Sequence, residues 1–148
     1  MGNLVIGKLL PMPKSADELR ERTKSFALRV IRLFRALPRS TDAQVIGKQL
    51  LRCGTSVAAN YRAVCRARSK AEFVSRIAIV AEEGDESVFW LEMLSDSGTI
   101  RPDRLNLLLT EARALTGSSA PHNEPRAAAR VRSLFTQLPN YPITKSEK

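Results

Sequence analysis

Arg52, Arg62 and Arg66, joined by Lys48, recur on one side of the run 45–68. A guanidinium is a planar fork that grips a phosphate through paired hydrogen bonds, and this chain carries seventeen Arg against seven Lys. A second series, Arg22, Arg29, Arg32, Arg35 and Arg39, steps by seven, three, three and four residues, the intervals of a helix surface. The chemistry these residues support is electrostatic binding of a polyanion. A formal charge of +9 and a pI near 10.3 agree, and point to nucleic acid, an anionic membrane surface or an acidic protein as partner. Aromatic residues make up 5% of the chain, and only Tyr61 interleaves with the cations. Contact with the phosphate backbone of duplex or structured nucleic acid is therefore expected in preference to base stacking.

Other chemistries lack their residues. Glu82, Glu83, Asp85 and Glu86 are clustered, but they have no His partner and alternate between helix faces. Thr55 and Ser56 have no positioned base beside them, so they read as helix-bonding or close-packing residues and not as nucleophiles. There is no Gly-rich phosphate loop, zinc-ligand spacing or dinucleotide fingerprint. Cys53 and Cys65 sit twelve residues apart on one predicted helix. That separation is about 18 Å, against the limit of about 7 Å for a disulfide. With His122 the single histidine, no zinc cluster forms either, and reduced cysteines fit a cytoplasmic protein. No catalytic residue, metal or cofactor is expected. The apolar run 4–10 is too short to span a membrane and is broken by Lys8.

The elements that must position the cations are helices. Strand formers are sparse, and Ala, Leu, Arg and Glu dominate the periodic segments, so the fold class is all-α. Residues 1–14 read as a loosely ordered N-terminal arm, 15–117 as a four-helix bundle, and 118–148 as a Pro-containing C-terminal extension with helical character over 126–138. The first helix runs from about Ser15 to Leu37, with Leu19, Phe26, Val30 and Leu37 as its core stripe and Pro38 as its stop. The second, capped by Thr41 or Asp42, continues to about Ala67 with Ile46, Leu50, Cys53, Val57, Asn60 and Val64 on the buried side. Asn60 on that stripe reads as a buried amide that fixes helix register. Gly54 inside the helix marks either a close packing contact or a bend.

Ser69 and Glu72 form a capping box at the start of the third helix, each satisfying the other's backbone amide. Its core seam is Phe73, Ile77, Val80, Gly84, Val88, Leu91 and Leu94, with Glu82, Asp85, Glu92 and Asp96 on the opposite side. No Lys or Arg occurs between Ile77 and Ile100, so charge is segregated between a basic pair of helices and an acidic one. Phe89, Trp90 and Met93 flank the seam among carboxylates, where either a wide core stripe or a subunit contact would place them, and the aromatic and Met types favour the contact. Gly98 fits a left-handed cap, and Pro102 opens a fourth helix running to about Thr116.

Three blocks carry a family likeness: Gln49-Leu50-Leu51-Arg52 with Gly54-Thr55-Ser56-Val57 and Ala59-Asn60-Tyr61-Arg62; then Ser69-Lys70 with Phe73; then Glu82-Glu83 with Trp90-Leu91-Glu92-Met93-Leu94. Over residues 20–116 they resemble the proteins encoded by intervening sequences of 23S ribosomal RNA, and the accessory variability determinants of diversity-generating retroelements are similar. The resemblance implies an antiparallel four-helix bundle, a homopentameric barrel, a basic surface proposed to bind nucleic acid, and no known catalytic activity. The chain departs from the family at Ala63, where relatives often carry a Glu shortly after the helix-two Asn.

Two function classes follow. One is a non-enzymatic nucleic-acid-binding homo-oligomer, accessory to a reverse transcriptase or to RNA processing. The other is a protein-interaction scaffold whose basic face docks an acidic protein.

Overall fold

The computed structural model describes residues 16–116. The N-terminal arm and the C-terminal extension expected from the sequence lie outside these residues. Four helices follow in order: α1 Ala16–Ala36, α2 Thr41–Val64, α3 Lys70–Asp96 and α4 Pro102–Thr116. They pack up and down, each against the next, and a smaller contact between α1 and α4 closes the bundle.

The apolar periodicity becomes the core. Leu19, Phe26, Val30 and Leu37 meet Leu50, Cys53, Val57 and Val64 inside the bundle, and the whole predicted seam of α3 is buried with them. Leu105, Leu108, Leu109, Ala112 and Leu115 complete the interior from α4. Gly54 is a contact and not a bend: a Cβ there would lie 2.9 Å from Val30 Cγ2, so the missing side chain lets α1 approach α2. Gly84 does the same for α3 and α4, where an added Cβ would collide with Thr116.

Local signals set the helix ends. The Glu72 amide donates to Ser69 Oγ at 3.1 Å, the forward half of the expected capping box. The return half differs, because the Glu72 carboxylate accepts from the Arg68 amide, one residue further back. At α2 the cap position falls on Ser40, in extended backbone and without a side-chain cap bond. Thr41 and Asp42 are thus already helical, and Asp42 instead accepts a hydrogen bond from Ser40, which holds its carboxyl below the ordinary value. Gly98, at φ 73°, supplies the left-handed turn after α3. Its amide donates to Ser95 O, and that of Ile100 reaches back to Leu94 O, before Pro102 restarts the chain.

Asn60 departs from the expected buried amide. It is half-buried, and its Nδ2 donates to Ser56 O at 2.9 Å and Ser56 Oγ at 2.8 Å, all within its own helix. The next residue takes the interior place: Tyr61 is buried, with its hydroxyl 3.5 Å from Ala16 O at the start of α1. Tyr61 fits the same stripe as Asn60 does, four residues after Val57 and three before Val64, so the spacing admits either and the structure buries the tyrosine.

Candidate nucleic-acid interface

Because α1 and α2 bury one side each, the cations on their other sides are held outward. Arg32, Arg35 and Arg39 of the first series are exposed, as are Lys48, Arg62 and Arg66 of the second. None of these six makes an ion pair with a described residue, so their charges face solvent. Arg29 is half-buried beside them. Lys24, Arg68 and Lys70, which the spacing of the arginines does not pick out, are exposed as well. Lys24 is recoverable from its steps of four to the exposed Leu28 and of eleven to Arg35, which put it on the same outer side of α1.

Arg22 does not belong to this surface. Its side chain is 6% exposed, and Nε and Nη2 donate to Glu111 Oε1 and Oε2 at 2.5 and 3.0 Å. The reason is its register. Three residues after Leu19 and four before Phe26, it shares the buried side of α1 and meets the buried carboxylate of α4. This bidentate pair is the polar link between the first and last helices.

Arg52 is exposed but already paired. It donates to Glu83 Oε2 at 3.3 Å and to Glu86. Glu86 also accepts from Trp90 Nε1 at 3.2 Å. The hydrogen bond from Arg52 holds the Glu86 carboxyl below its ordinary value, and that to Glu86 raises the Arg52 guanidinium. Acidic α3 is therefore partly neutralised inside the chain, by Arg52 from α2 and by Arg113 of α4, which donates to Glu92 at 2.8 Å. Any phosphate reaching Arg52 must compete with two carboxylates.

The remaining residues divide by role. Thr55 Oγ1 donates back to Leu51 O at 2.7 Å, as a helix-bonding hydroxyl should. Tyr61 is buried and cannot stack on a base. Cys53 is free and buried, and burial pushes its thiol up; Cys65 is free and half-buried. Phe89 stands half-exposed with its ring edge-on to Trp90 at 4.8 Å, while Trp90 and Met93 pack partly against the core. Among the described residues no three His, Cys, Asp or Glu gather as metal ligands, and no helix is long and apolar enough to cross a membrane.

Fold and surface together define an all-α up-down bundle with an outward basic side. The sequence model of the 23S rRNA-intervening sequence proteins matches residues 17–118, and the chain belongs to that family. Among solved structures, a protein of unknown function from the S23 ribosomal protein family of Bacteroides thetaiotaomicron VPI-5482 superposes with a TM-score of 0.66. It is 24% identical, over 79% of this chain and 97% of that one, a likeness of fold alone. No curated protein matches this chain.

Proposed function

We propose that this protein is a non-enzymatic nucleic-acid-binding homo-oligomer that holds the phosphate backbone of duplex or structured nucleic acid on the outer sides of α1 and α2. The observation that carries the reading is the set of exposed cations that make no ion pair with a described residue: Arg32 and Arg35 on α1, Arg39 in the connection after it, Lys48 and Arg62 on α2, and Arg66 just past its end. Unpaired guanidinium groups gain from a phosphate without first giving up a carboxylate, which Arg52 cannot do. Tyr61 is withdrawn into the core, which favours backbone contact over base stacking.

Assembly fits the same picture. Phe89, with Trp90 and Met93 beside it, offers an aromatic and thioether contact to a second copy, and repetition of the basic sides around a ring, five subunits by family likeness, would lengthen the binding track. The role that such a particle fits is that of an accessory factor, to a reverse transcriptase or to RNA processing. Mobility shifts against duplex DNA, an RNA–DNA hybrid and structured RNA, each through a salt series, test the reading. Binding to at least one class that weakens steeply with salt is expected, and no binding at low salt to any of them would refute it.

A further inference from the structure

Lys48, Arg52 and Arg62 share the outward side of α2, at steps of four and ten, and all three are exposed. Arg52 stands one turn, about 6 Å, past Lys48. Lys48 and Arg62 make no ion pair with a described residue, whereas Arg52 reaches across to Glu83 and Glu86 of α3. There one oxygen serves two donors: Glu86 Oε1 accepts from Arg52 Nη2 and, at 3.2 Å, from Trp90 Nε1. Trp90 packs partly on the core and is edge-on to the exposed Phe89 ring. A single carboxylate therefore touches both a cation of the basic side and the aromatic patch of α3.

The Arg52 guanidinium has two places to go. Its side chain is 52% exposed and that of Glu86 37%, so water screens their attraction, and an ion pair at such exposure is weak. A polyanion gripped by Lys48 and Arg62 presents phosphates to Arg52 at high local concentration. Each phosphate neutralised also releases condensed counterions, a gain that Glu83 and Glu86 do not offer. Exchange leaves both carboxylates without their arginine, and Trp90 Nε1 then faces a negative charge that is no longer offset.

We propose that Arg52 is an exchangeable cation, which passes from Glu83 and Glu86 to a phosphate when nucleic acid occupies the outer sides of α1 and α2, and that Glu86 carries this change to Trp90. The two α3 carboxylates are thus a built-in brake on the basic surface, and the aromatic patch registers its occupancy. This exchange presupposes the nucleic-acid reading and adds a regulation to it. Two arrangements of one guanidinium make the link, without movement of a helix.

Trp90 is the single tryptophan, so its emission reads the state of Glu86. Excitation moves indole electron density from the pyrrole nitrogen towards the benzene ring, and an unbalanced negative charge beside Nε1 therefore shifts emission to the red. The full chain is titrated at low salt with duplex DNA, an RNA–DNA hybrid and structured RNA, with mobility shifts run on the same samples. On a class that binds, wild-type emission should move to the red. Arg52→Ala should show that red position before nucleic acid is added, and should then bind through the other cations with no further move. Arg52→Gln serves if alanine disturbs α2, and circular dichroism checks the helices. The brake has its own readout in affinity. Glu83→Gln with Glu86→Gln should bind a few-fold tighter than Glu82→Gln with Asp96→Asn, an equal charge change at exposed carboxylates that do not pair with Arg52, and adding Arg52→Ala should erase the difference. Binding that leaves wild-type emission unmoved, or moves it as far in Arg52→Ala, would overturn the exchange while the nucleic-acid reading stands. Absence of binding in every class would overturn that reading, and the exchange with it.

Discussion

Arg22 and Glu111 join two helices through two hydrogen bonds inside the core, where both charges have shed their water. Removing one partner leaves the other charged and buried, so Arg22→Ala or Glu111→Ala should each cost about 3–5 kcal/mol in urea unfolding. Arg22→Met combined with Glu111→Leu should recover most of that stability, because an apolar pair of similar volume has no desolvation to offset. Glu86 gives a second expectation. Its carboxyl lies below the ordinary 4.5 in the folded chain, first because Arg52 donates to it. A depressed carboxyl stabilises the fold above the unfolded value and loses that contribution as pH falls through the lower, folded one. Stability measured from about pH 4.5 downward should therefore fall more steeply in the wild type than in Glu86→Gln. At this scale the residue types are legible in the sequence but their partners are not. Arg22 stands in a helical series with Arg29, and only its equal fit to the interval between Leu19 and Phe26 signals burial. Nothing in the pattern of α1 announces Glu111, 89 residues away, as its partner.

Helices are legible to within a few residues because their signals are local. Proline at 38 and 102, glycine at 98 and the Ser69–Glu72 box each act on the next turn of backbone, and each appears at an observed boundary or cap. Where the structure differs from expectation, a neighbouring element decides. Asn60 and Tyr61 fit the interval between Val57 and Val64 equally well, and the start of α1, where Ala16 O meets the Tyr61 hydroxyl, marks Tyr61 as the interior one. Gly54 leaves a choice between contact and bend that only Val30 on the facing helix settles. An alanine there gains about 1 kcal/mol of helix propensity but must displace Val30, and overpacking of this kind costs about 1–3 kcal/mol. Gly54→Ala should thus be destabilising in thermal unfolding, and Val30→Ala in the same chain should lessen the effect. A stabilised single variant would mean that α1 yields at that point.

At the scale of the whole molecule, charge is partitioned. The outward sides of α1 and α2 keep cations that pair with no described residue, while α3 commits Glu83, Glu86 and Glu92 to arginines of the same chain. The apolar exposure of Phe89 leaves assembly as a testable consequence. Native mass spectrometry should show a homo-oligomer, and Phe89→Ala with Trp90→Ala should reduce the subunit number while the helical signal persists; a wild type that stays monomeric at every concentration would contradict it. The overall segregation is readable from composition by segment. Which cations remain available is not, because Arg22 and Arg52 carry the same charge as Arg62 and Arg66 and differ only in what the fold places beside them.

That difference supplies the most direct test of the binding claim, the dependence of affinity on salt in variants of equal charge change. Arg62→Ala with Arg66→Ala should weaken binding similarly on unrelated sequences and flatten the log–log salt slope by about one unit for each phosphate that the arginine had neutralised. Arg101→Ala with Arg104→Ala removes the same charge from exposed positions outside α1 and α2 and should leave the slope near that of the wild type. Equal slopes and affinities in both variants, with the fold intact, would contradict the assignment of the α1–α2 surface as the nucleic-acid interface.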